Sequence, residues 1–582
     1  MPARTGTAHV VTTRRTYKDK VYCTHLLRRS YREDGKVKNE TLGNLSHLPD
    51  ALIDIIRRSL QGETFVAASQ AFEIVRSRAH GHVQAVALAM QRLGLASIIA
   101  SAPSRERELV LAMVASRIVQ PDTKLATTRR WHGSTLAEDF GVADATEDDL
   151  YAAMDWLLAR QEAIEQKLAA RHLREDALVL YDLSSSWFEG STCPLAKRGY
   201  SRDGRPGTLQ VNYGLLTDAR GCPVAVSVFE GNTADSRTFV PAVQRVRERF
   251  GLAQVVMVGD RGMVSRKGPK KAIDELRGQG GIDWITALKS VSMRALVEHG
   301  SLQLGLFDQR NLAEITSPEY PGERLVACRN DALTKLRAHK RESLLQATEA
   351  LLAQVQASVD ARRLAGQDKI GVQVGKVINR HKVAKHFELS IGQASLSWSR
   401  RQDAIDAEAA LDGLYVIRTS LSAQRMAAPD CVRSYKALSN VERAFRSLKT
   451  VDLKVRPIHH RLADRVRAHI LLCMLAFYVE WHMREAWAPL MFADTDSQAK
   501  ATRDPVAPAQ RSASASAKAA SKRLDDGEVA HSFATLMTQM ATIVRNTCRT
   551  PGAGADTPTF ELLTTPSAHQ QRALALIRSI QP

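Results

Sequence analysis

The chain has 582 residues, of which 44% are hydrophobic, and this content supports a large buried core and excludes global disorder. Lysine and arginine number 81 against 62 acidic residues, a formal charge of +19, which favours polyanions such as nucleic acids as partners. The 7 cysteines include no Cys-x-x-Cys pair, so we expect neither a disulfide framework nor a cysteine zinc site.

The beginning of the chain predicts a small β unit followed by helices. Residues 21–27 and 36–42 flank Asp34-Gly35, a dipeptide typical of tight hairpin turns because it accepts positive φ. We therefore expect an N-terminal β-hairpin and helix in residues 1–70. Apolar residues at three- and four-residue spacing then predict a helical, arginine-rich region over 71–172, where we expect DNA recognition.

An α/β region follows, with two predicted buried strands. Residues 177–181 are an uninterrupted apolar run, as in a strand buried on both faces, and residues 254–258 are read as another buried strand, apolar after Gln254. Two further strands and an amphipathic helix are predicted between them, over residues 211–216, 224–229 and 238–250. The helical crossover can place the two buried strands side by side. We expect this first part of an α/β core to span residues 173–294.

The strand pattern breaks down over residues 295–410, which we interpret as an insertion with a long helix and two short strands. Buried-strand character returns at residues 414–418, and residues 411–490 are expected to complete the core. Residues 491–527 are rich in cations and small residues and poor in bulky apolar groups, which predicts a basic flexible linker. Amphipathic spacing then predicts a C-terminal helical segment over 528–582.

Three absences narrow the function. The longest apolar stretch, residues 470–479, is about half the length of a membrane-spanning helix, and we expect it as a buried core helix. The start of the chain has no apolar core that could serve as a secretory signal. No Gly-x-x-x-x-Gly-Lys-Ser/Thr motif is present. We therefore expect a cytoplasmic protein that uses neither a membrane nor ATP.

Two aspartates and a glutamate predict a metal-dependent site. Asp182 and Asp260 each end an apolar strand, and Glu442 lies among cations on a predicted helix. Carboxylates at the carboxyl ends of adjacent strands can hold Mg²⁺ or Mn²⁺, which prefer oxygen ligands. Two such ions about 3.5–4 Å apart can activate a water and stabilise the leaving oxygen in phosphoryl transfer. We therefore take the three acids as catalytic residues and as ligands of two ions in a reaction on phosphodiesters.

Each acid also has a purely structural alternative. An aspartate at a strand end often forms a turn by bonding to its own backbone, and the Asp-x-Gly sequence at Asp260 suits that role. Ser439 and Glu442 have the spacing of a capping box, which would close a helix N-terminus without any chemistry. Both structural roles are compatible with catalysis.

Cations near the acids are candidate DNA-binding residues. Glu442, Arg446 and Lys449 share one stripe of the predicted helix. This stripe is either an ordinary salt-bridged surface or a metal ligand beside phosphate-binding groups. Arg261 and Lys267 follow the second aspartate in a basic run that could track phosphates, although charge runs are usually solvated loops.

These residues resemble the insertion-sequence DDE transposases, in particular the group whose glutamate is embedded in a Tyr-(2)-Arg-(3)-Glu-(6)-Lys signature. Tyr435, Glu442 and Lys449 stand at the matching spacings, and Leu438 occupies the arginine position. The resemblance extends to both aspartate motifs, Tyr-Asp-Leu-Ser-Ser and Val-Gly-Asp-Arg-Gly-Met, and covers most of residues 20–480. Tyr435 thereby becomes a further candidate DNA-binding residue.

The resemblance implies a ribonuclease-H-like mixed α/β sheet with flanking helices, interrupted by a mostly β insertion before the glutamate. It implies metal-assisted hydrolysis at transposon ends, followed by attack of the freed 3′-hydroxyl on target DNA. The implied partners are double-stranded DNA, as terminal inverted repeats and as target, and a second copy of the chain on DNA, because two ends must be joined in concert. The implied location is the bacterial cytoplasm, at the nucleoid.

Three alternatives remain open on the sequence. A metal-dependent nuclease or junction resolvase on the same core would cut DNA but never join it. An inactive DNA-binding derivative of a transposase is expected to lack one of the acids, and all three are present. A tyrosine recombinase needs a nucleophilic tyrosine with arginine and histidine partners, for which Tyr435 with Arg433 and His459 is a poor candidate.

Overall fold

The chain forms two compact units. The computed structural model describes residues 6–18, 20–65, 71–261, 263, 282–551 and 557–581. The smaller unit comprises residues 1–77 with 545–563, and the larger unit comprises residues 78–544 with 564–582.

The described strands, in chain order, are β1 (Thr7–Tyr17), β2 (Lys20–Glu33), β3 (Lys36–Asn44), β4 (Glu73–Ala79), β5 (Ala177–Trp187), β6 (Lys197–Arg198), β7 (Leu209–Thr217), β8 (Pro223–Glu230), β9 (Val255–Gly259), β10 (Ile282–Ala287), β11 (Leu312–Ile315), β12 (Arg324–Arg329), β13 (Phe387–Ile391), β14 (Leu396–Arg400), β15 (Leu414–Thr419), β16 (Val544–Arg549) and β17 (Phe560–Leu563).

The described α-helices are α1 (Asp50–Leu60), α2 (Gly81–Arg92), α3 (Leu95–Ile99), α4 (Arg105–Val119), α5 (Lys124–Arg130), α6 (Leu136–Asp139), α7 (Glu147–Leu158), α8 (Gln161–His172), α9 (Ser236–Gln244), α10 (Ser290–Glu298), α11 (Asp331–Asp360), α12 (Gln367–Ile378), α13 (Gln402–Ala409), α14 (Ala428–Lys436), α15 (Leu438–Arg446), α16 (Ala463–Ala486), α17 (Ser497–Thr502), α18 (Ala513–Ser521), α19 (Phe533–Ala541) and α20 (Ala568–Arg578).

The smaller unit contains the predicted hairpin, extended by one more strand. β2 and β3 are antiparallel, and Glu33 pairs with Lys36 across a turn whose central residues, Asp34 and Gly35, have φ of 49° and 77°. This geometry confirms the predicted turn. β1 pairs with the other edge of β2. The pattern gives no sign of β1 because its side chains are largely polar and exposed.

A second three-stranded sheet lies mostly in the smaller unit, in the order β17-β16-β4. Its strands come from residues 71–172 and 528–582, which the sequence predicts as helical. β17 has only four residues, all exposed, and its Phe-Glu-Leu-Leu sequence alternates over just three positions, fewer than the four to eight that mark a half-buried strand. The helices in these two regions, α2 to α8 and α19 to α20, agree with the prediction.

The larger unit is built on a mixed sheet with the strand order β11-β12-β15-β10-β9-β5-β7-β6, and β8 pairs with β7. The central strands β5, β9 and β10 are parallel, whereas the flanking pairs are antiparallel. All five residues of β9 are buried, as a continuous apolar pattern predicts. The mixed sheet confirms the α/β class and is consistent with a ribonuclease-H-like core.

Helix α16 is the most deeply buried helix near this sheet. Every residue from Ala468 to Met483 is buried, and the helix packs against α4, α7 and β8. An apolar surface on all sides suits a helix in the centre of a large core, so the expectation for residues 470–479 is confirmed. Among the helices that the structure describes, none combines the length and the apolar character needed to cross a bilayer.

The insertion is mostly helical, which corrects the mostly β insertion that the resemblance implies. β11 and β12 join the main sheet beside β15, so they belong to the core. Helices α11 to α13 then enclose a small separate core with the β13-β14 hairpin. Leu345, Leu352 and Val359 of α11 are buried there. Their seven-residue spacing places them on one face of the helix.

Residues 491–527 are folded, which corrects the predicted flexible linker. They contain α17 and α18, and Val506 between these helices is only 1% exposed. Asp494 accepts hydrogen bonds from the Ser512 backbone N–H at 3.0 Å and hydroxyl at 2.8 Å, and these bonds lower the pKa of its carboxyl. Backbone and small polar groups make most of these contacts, and composition alone does not report them.

Truncation of Leu475 in α16 tests the buried helix. Leu475 is 0% exposed and Leu336 on α11 is 62% exposed. We expect Leu475→Ala to lower the free energy of unfolding by about 2–5 kcal/mol through lost burial and a new cavity, and Leu336→Ala to change it by less than about 0.5 kcal/mol. Denaturant unfolding followed by tryptophan fluorescence measures both. Equal effects of the two substitutions would contradict the placement of α16.

Candidate active site

Asp182 and Asp260 lie side by side because their strands are parallel and in register. Tyr181 of β5 pairs with Gly259 of β9, and each aspartate is the next residue along its strand. Asp182 does not end its strand, as the sequence predicts, because β5 continues to Trp187 through antiparallel pairing with β7. The pairing with β9 ends at Tyr181, so the two carboxylates still meet at one edge of the parallel part of the sheet.

Each aspartate also accepts a hydrogen bond from the backbone that follows it. The Leu183 N–H donates to Asp182 Oδ1 at 2.8 Å, and the Arg261 N–H donates to Asp260 Oδ1 at 2.7 Å. These are the bonds that a turn-forming aspartate makes to its own backbone. The turn-forming role and the metal-ligand role are compatible, because each carboxylate retains a second oxygen. Asp182 is half-buried and Asp260 is exposed.

Glu442 reaches the same place from α15, which packs against β5. Val441, Ala444 and Phe445 form the buried face of α15, and Glu442 is exposed beside it. The predicted capping box is not formed. The helix begins at Leu438 and has no side-chain cap. Ser439 therefore lies inside the helix and not at its N-cap.

Electrostatics tie the three acids together. Burial, together with the negative charges of Asp260 and Glu442, raises the pKa of Asp182 to about 7, although the Leu183 hydrogen bond and the nearby Arg202 lower it. Like charges disfavour ionisation of a neighbouring carboxyl. A divalent cation would relieve this repulsion, and its preferred ligands are oxygens. The three acids therefore fit a divalent metal.

The acids are spread rather than tightly clustered. Among the described residues, His172, Cys222 and His482 form the only group of three potential ligands whose donor atoms all lie within 4.8 Å of one another. That group offers nitrogen and sulfur, which Mg²⁺ does not prefer. Two ions about 3.5–4 Å apart need carboxylates set wider than a single ion does. The open arrangement of the acids is thus compatible with two ions.

Tyr435 is bonded to the second aspartate. It lies on α14, is half-buried, and donates from its hydroxyl to Asp260 Oδ1 at 3.2 Å. Burial and the charge of Asp260 raise the pKa of this phenol. The segment from Tyr435 to Lys449 is not one helix. It consists of the end of α14, then α15, then a π-helical turn over Ser447–Val451.

Lys449 does not share the exposed stripe of Glu442. It is 8% exposed, and its Nζ lies 2.9 Å from Asp203 Oδ1. The buried Asp203 carboxylate also pairs with Arg456. A π-helical turn is wider than an α-helical one, so it rotates Lys449 away from the position that uninterrupted α-helix predicts. Burial lowers the pKa of Lys449.

The other candidate DNA-binding residues differ in their surroundings. Arg446 is exposed, and in the described part of the chain its guanidinium has no hydrogen-bond or ion-pair partner. Arg261 is exposed beside Asp260, and its charge acts on Tyr435. Lys267 lies outside the described residues.

Several residues near the acids carry no signal in the sequence. Arg202 is close enough to influence the pKa of Asp182, and Asp203 anchors Lys449 and Arg456. The ring of Trp187 has two guanidinium groups close to it, with Arg205 at 4.0 Å and Arg456 at 4.8 Å from its centroid. Arg202 and Asp203 precede a glycine in a loop, a pattern that indicates only a turn.

Two family models match the chain. The transposase DDE domain matches residues 188–479, half of the chain, and the IS1634 family transposase N-terminal domain matches residues 10–70. The chain belongs to the DDE transposases. Within them it is an insertion-sequence transposase, an enzyme that cleaves DNA and transfers strands, in a family that generally depends on divalent metal ions. The first match contains Asp260 and Glu442 and begins shortly after Asp182.

Comparison with individual proteins adds little. No curated protein gives a significant match. Among solved structures, the chain is similar to a piggyBac transposase synaptic complex with hairpin DNA at 9% identity, over 79% of this chain and 77% of that one, with a TM-score of 0.34. This similarity is too weak to bear on function.

Asp182→Asn tests the cost of holding an ionised carboxylate in a buried position beside two other acids. The pKa of Asp182 is raised from 3.8 to about 7, so its ionisation destabilises the metal-free fold. This cost is absent below pH 3.8 and complete above about pH 7. Near pH 8 we expect the substitution to raise the free energy of unfolding of metal-free protein by up to about 4 kcal/mol, and the gain to fade as the pH falls toward 4.

Thermal unfolding with and without Mg²⁺ completes this test. We expect Mg²⁺ to raise the Tm of the wild type at pH 8 far more than that of the variant. Glu388→Gln, at an exposed position of β13, is the matched control and should respond as the wild type does. A metal-free Asp182→Asn protein that is less stable than the wild type at pH 8 would refute this account.

Lys449→Met and Arg446→Ala separate a structural cation from a surface cation. The first substitution leaves the buried Asp203 with one cation fewer, and we expect it to lower the free energy of unfolding by about 3 kcal/mol. The second removes an exposed guanidinium and should weaken DNA binding without a change in Tm. Scanning calorimetry and fluorescence anisotropy with duplex DNA measure the two effects. A stable Lys449→Met protein would argue against the buried ion pair.

Proposed function

We propose that Asp182, Asp260 and Glu442 hold two divalent ions, Mg²⁺ or Mn²⁺, and form the catalytic site of this transposase. The observation that carries the proposal is the convergence of three carboxylates from β5, β9 and α15, two of which raise the pKa of the third. A fold that holds three carboxylates close together loses stability through their repulsion. Bound divalent cations would offset this loss.

The surrounding side chains have separate tasks in this proposal. The ions, when bound, supply a nucleophilic water and stabilise the leaving oxygen. The Leu183 N–H fixes the orientation of the Asp182 carboxylate, and the Tyr435 hydroxyl fixes that of Asp260. Glu442 is exposed, so a phosphodiester can approach it from solvent. No side chain needs to form a covalent bond to DNA.

We assign the positioning of DNA to the exposed cations beside the acids. Arg446 follows Glu442 by one turn of α15, and Arg261 follows Asp260 directly, so both can reach phosphates next to the scissile one. The buried Lys449 contributes indirectly, because its ion pair holds Asp203 in place. The substrates are terminal inverted repeats and target DNA, and the helical region 71–172 recognises the repeats. A homodimer on DNA brings two ends together.

The remaining domain assignments follow from this division of labour. Residues 173–294 and 411–490 form the catalytic core, with β11 and β12 added to its sheet. The helical module within residues 295–410 is an accessory to the core. The folded segment 491–527 packs against the core and does not act as a spacer.

Conservative substitution of each acid tests the catalytic assignment. We expect Asp182→Asn, Asp260→Asn and Glu442→Gln each to reduce cleavage and joining of DNA that carries the element's ends by at least about 1000-fold, because transition-state charge stabilisation is lost. DNA binding should survive in all three. Gel assays with Mg²⁺ measure both steps, and Glu388→Gln is the control. Strand transfer that persists without Glu442 would assign the third ligand to another residue.

A further inference from the structure

The larger unit contains a cationic cavity away from the three acids. Its volume is about 750 Å³, and it is lined by α4, α5, α7, α16 and residues 454–462. The lining includes six lysines and arginines but only two acids. The six cations are Arg117, Lys124, Lys454, Arg456, Arg461 and Arg465. A cavity of this size can hold a nucleotide-sized group.

The two acids do not neutralise the cavity. Asp122 Oδ2 forms an ion pair with Arg130 Nη1 at 2.6 Å, and Asp122 Oδ1 accepts a hydrogen bond from the Thr123 N–H at 2.9 Å. The charge of Asp122 is therefore already paired with a cation outside the lining. Glu147 lies in the first turn of α7 and is half-buried, and it is a single charge. The positive charge therefore exceeds the negative charge at the cavity wall.

Lys124 is the least compensated cation of the lining. It is the first residue of α5 and is 4% exposed, and no hydrogen bond or ion pair to its ammonium exists within the described ranges. Burial, reinforced by Arg117, lowers its pKa to about 7. The charged form of a buried lysine is costly without a counter-charge. An anion in the cavity would supply this counter-charge and favour the charged form.

Two arginines of the lining have an unsatisfied donor each. In the described structure, the Nε atoms of Arg456 and Arg465 are buried without a hydrogen-bond partner. Burial and the nearby cations lower the pKa of His460 to about 3, so its ring is neutral near pH 7. Guanidinium and imidazole N–H groups around a lysine are the donors that bind the oxygens of a phosphate group.

The cavity lies beside the strand that carries the first aspartate. The Ile458 N–H donates to the Trp187 carbonyl at 3.2 Å, which joins the cavity wall to the end of β5. Asp182 lies five positions earlier, about 16 Å along the strand. This distance corresponds to about five base pairs of duplex. Arg456 connects the two places, since it lines the cavity and also pairs with Asp203.

We propose that this cavity binds a phosphate group, and that the phosphate belongs to the backbone of the DNA strand held at the three acids. The phosphate chemistry follows from the cations and unsatisfied donors of the cavity. The source of the phosphate rests on the proposed function, because it requires DNA at Asp182, Asp260 and Glu442. Lys124 is the central positioning residue of the cavity and does not touch the reacting atoms.

The first experiment measures DNA binding in the catalytically silent Asp182→Asn protein. The probe is a fluorescent duplex that carries one end of the element. We expect Lys124→Met to weaken binding about tenfold or more and to lower the slope of log K against log salt by about one. Lys369→Met, on the exposed surface of α12, removes the same charge and should leave both quantities nearly unchanged.

A second experiment distinguishes a DNA phosphate from a free one. Single methylphosphonate linkages are placed along the probe, and inorganic phosphate is titrated by calorimetry. A linkage that weakens binding of the Lys124 protein but not of Lys124→Met supports the proposal. Binding of inorganic phosphate that Lys124→Met abolishes, together with unchanged DNA binding, overturns the DNA source. Loss of neither interaction overturns the cavity as a phosphate site.

Two controls separate this proposal from folding and from the catalytic assignment. Removal of an uncompensated buried charge should keep or raise the Tm of Lys124→Met, and a fall in Tm would make the lysine structural. Arg461→Ala, at an exposed position of the same lining, should weaken DNA binding as well. If Asp182→Asn protein with intact Lys124 binds no DNA, the proposed function fails. If it binds and neither variant differs, only the cavity proposal fails.

Discussion

The cost of burying a carboxylate beside two others is the constraint on which the candidate site depends. The register of β5 and β9 fixes Asp182 beside Asp260, and the packing of α15 on β5 adds Glu442. None of these positions can relax without breaking strand pairing or helix packing, so the charges stay together. The deeply buried α16 and the continuous apolar strands give the frame the stability that such a site requires. Strand pairing and helix packing keep the three carboxylates close despite their repulsion, and this arrangement is what favours metal binding.

The sequence predicted this arrangement where apolar pattern and topology coincide. The runs in β5 and β9 mark strands covered on both faces, and a helical crossover makes such strands parallel neighbours. The approximate position of two acids follows from that. The full length of β5 does not, because Ser185 and Ser186 are polar although both are 0% exposed. Ser186 satisfies its hydroxyl with Tyr213 at 2.9 Å, a tertiary contact that no local pattern contains.

The remaining errors have the same origin. Regular α-helical spacing predicts Lys449 on the surface, but one π-helical turn places it inside the protein. The lack of bulky apolar groups in residues 491–527 predicts a linker, but hydrogen bonds to Asp494 order this segment. In both cases the decisive interaction is a bond to an aspartate, Asp203 or Asp494, and neither helical spacing nor composition reports such a contact. The cationic cavity could not be predicted either, since α5 and residues 454–462 are more than 300 positions apart in the chain.

The insertion meets the core at a single point of the sheet. Arg329 of β12 pairs with Leu414 of β15, and the Asn330 N–H donates to the Gly413 carbonyl at 3.0 Å. The chain thus leaves and re-enters the sheet at adjacent backbone positions, as it would in a hairpin. A segment attached in this way can shorten to a turn or grow into a larger domain without shifting its host strands. Size changes at this junction therefore offer a route by which related enzymes diversify, and a place where a foreign domain can be grafted.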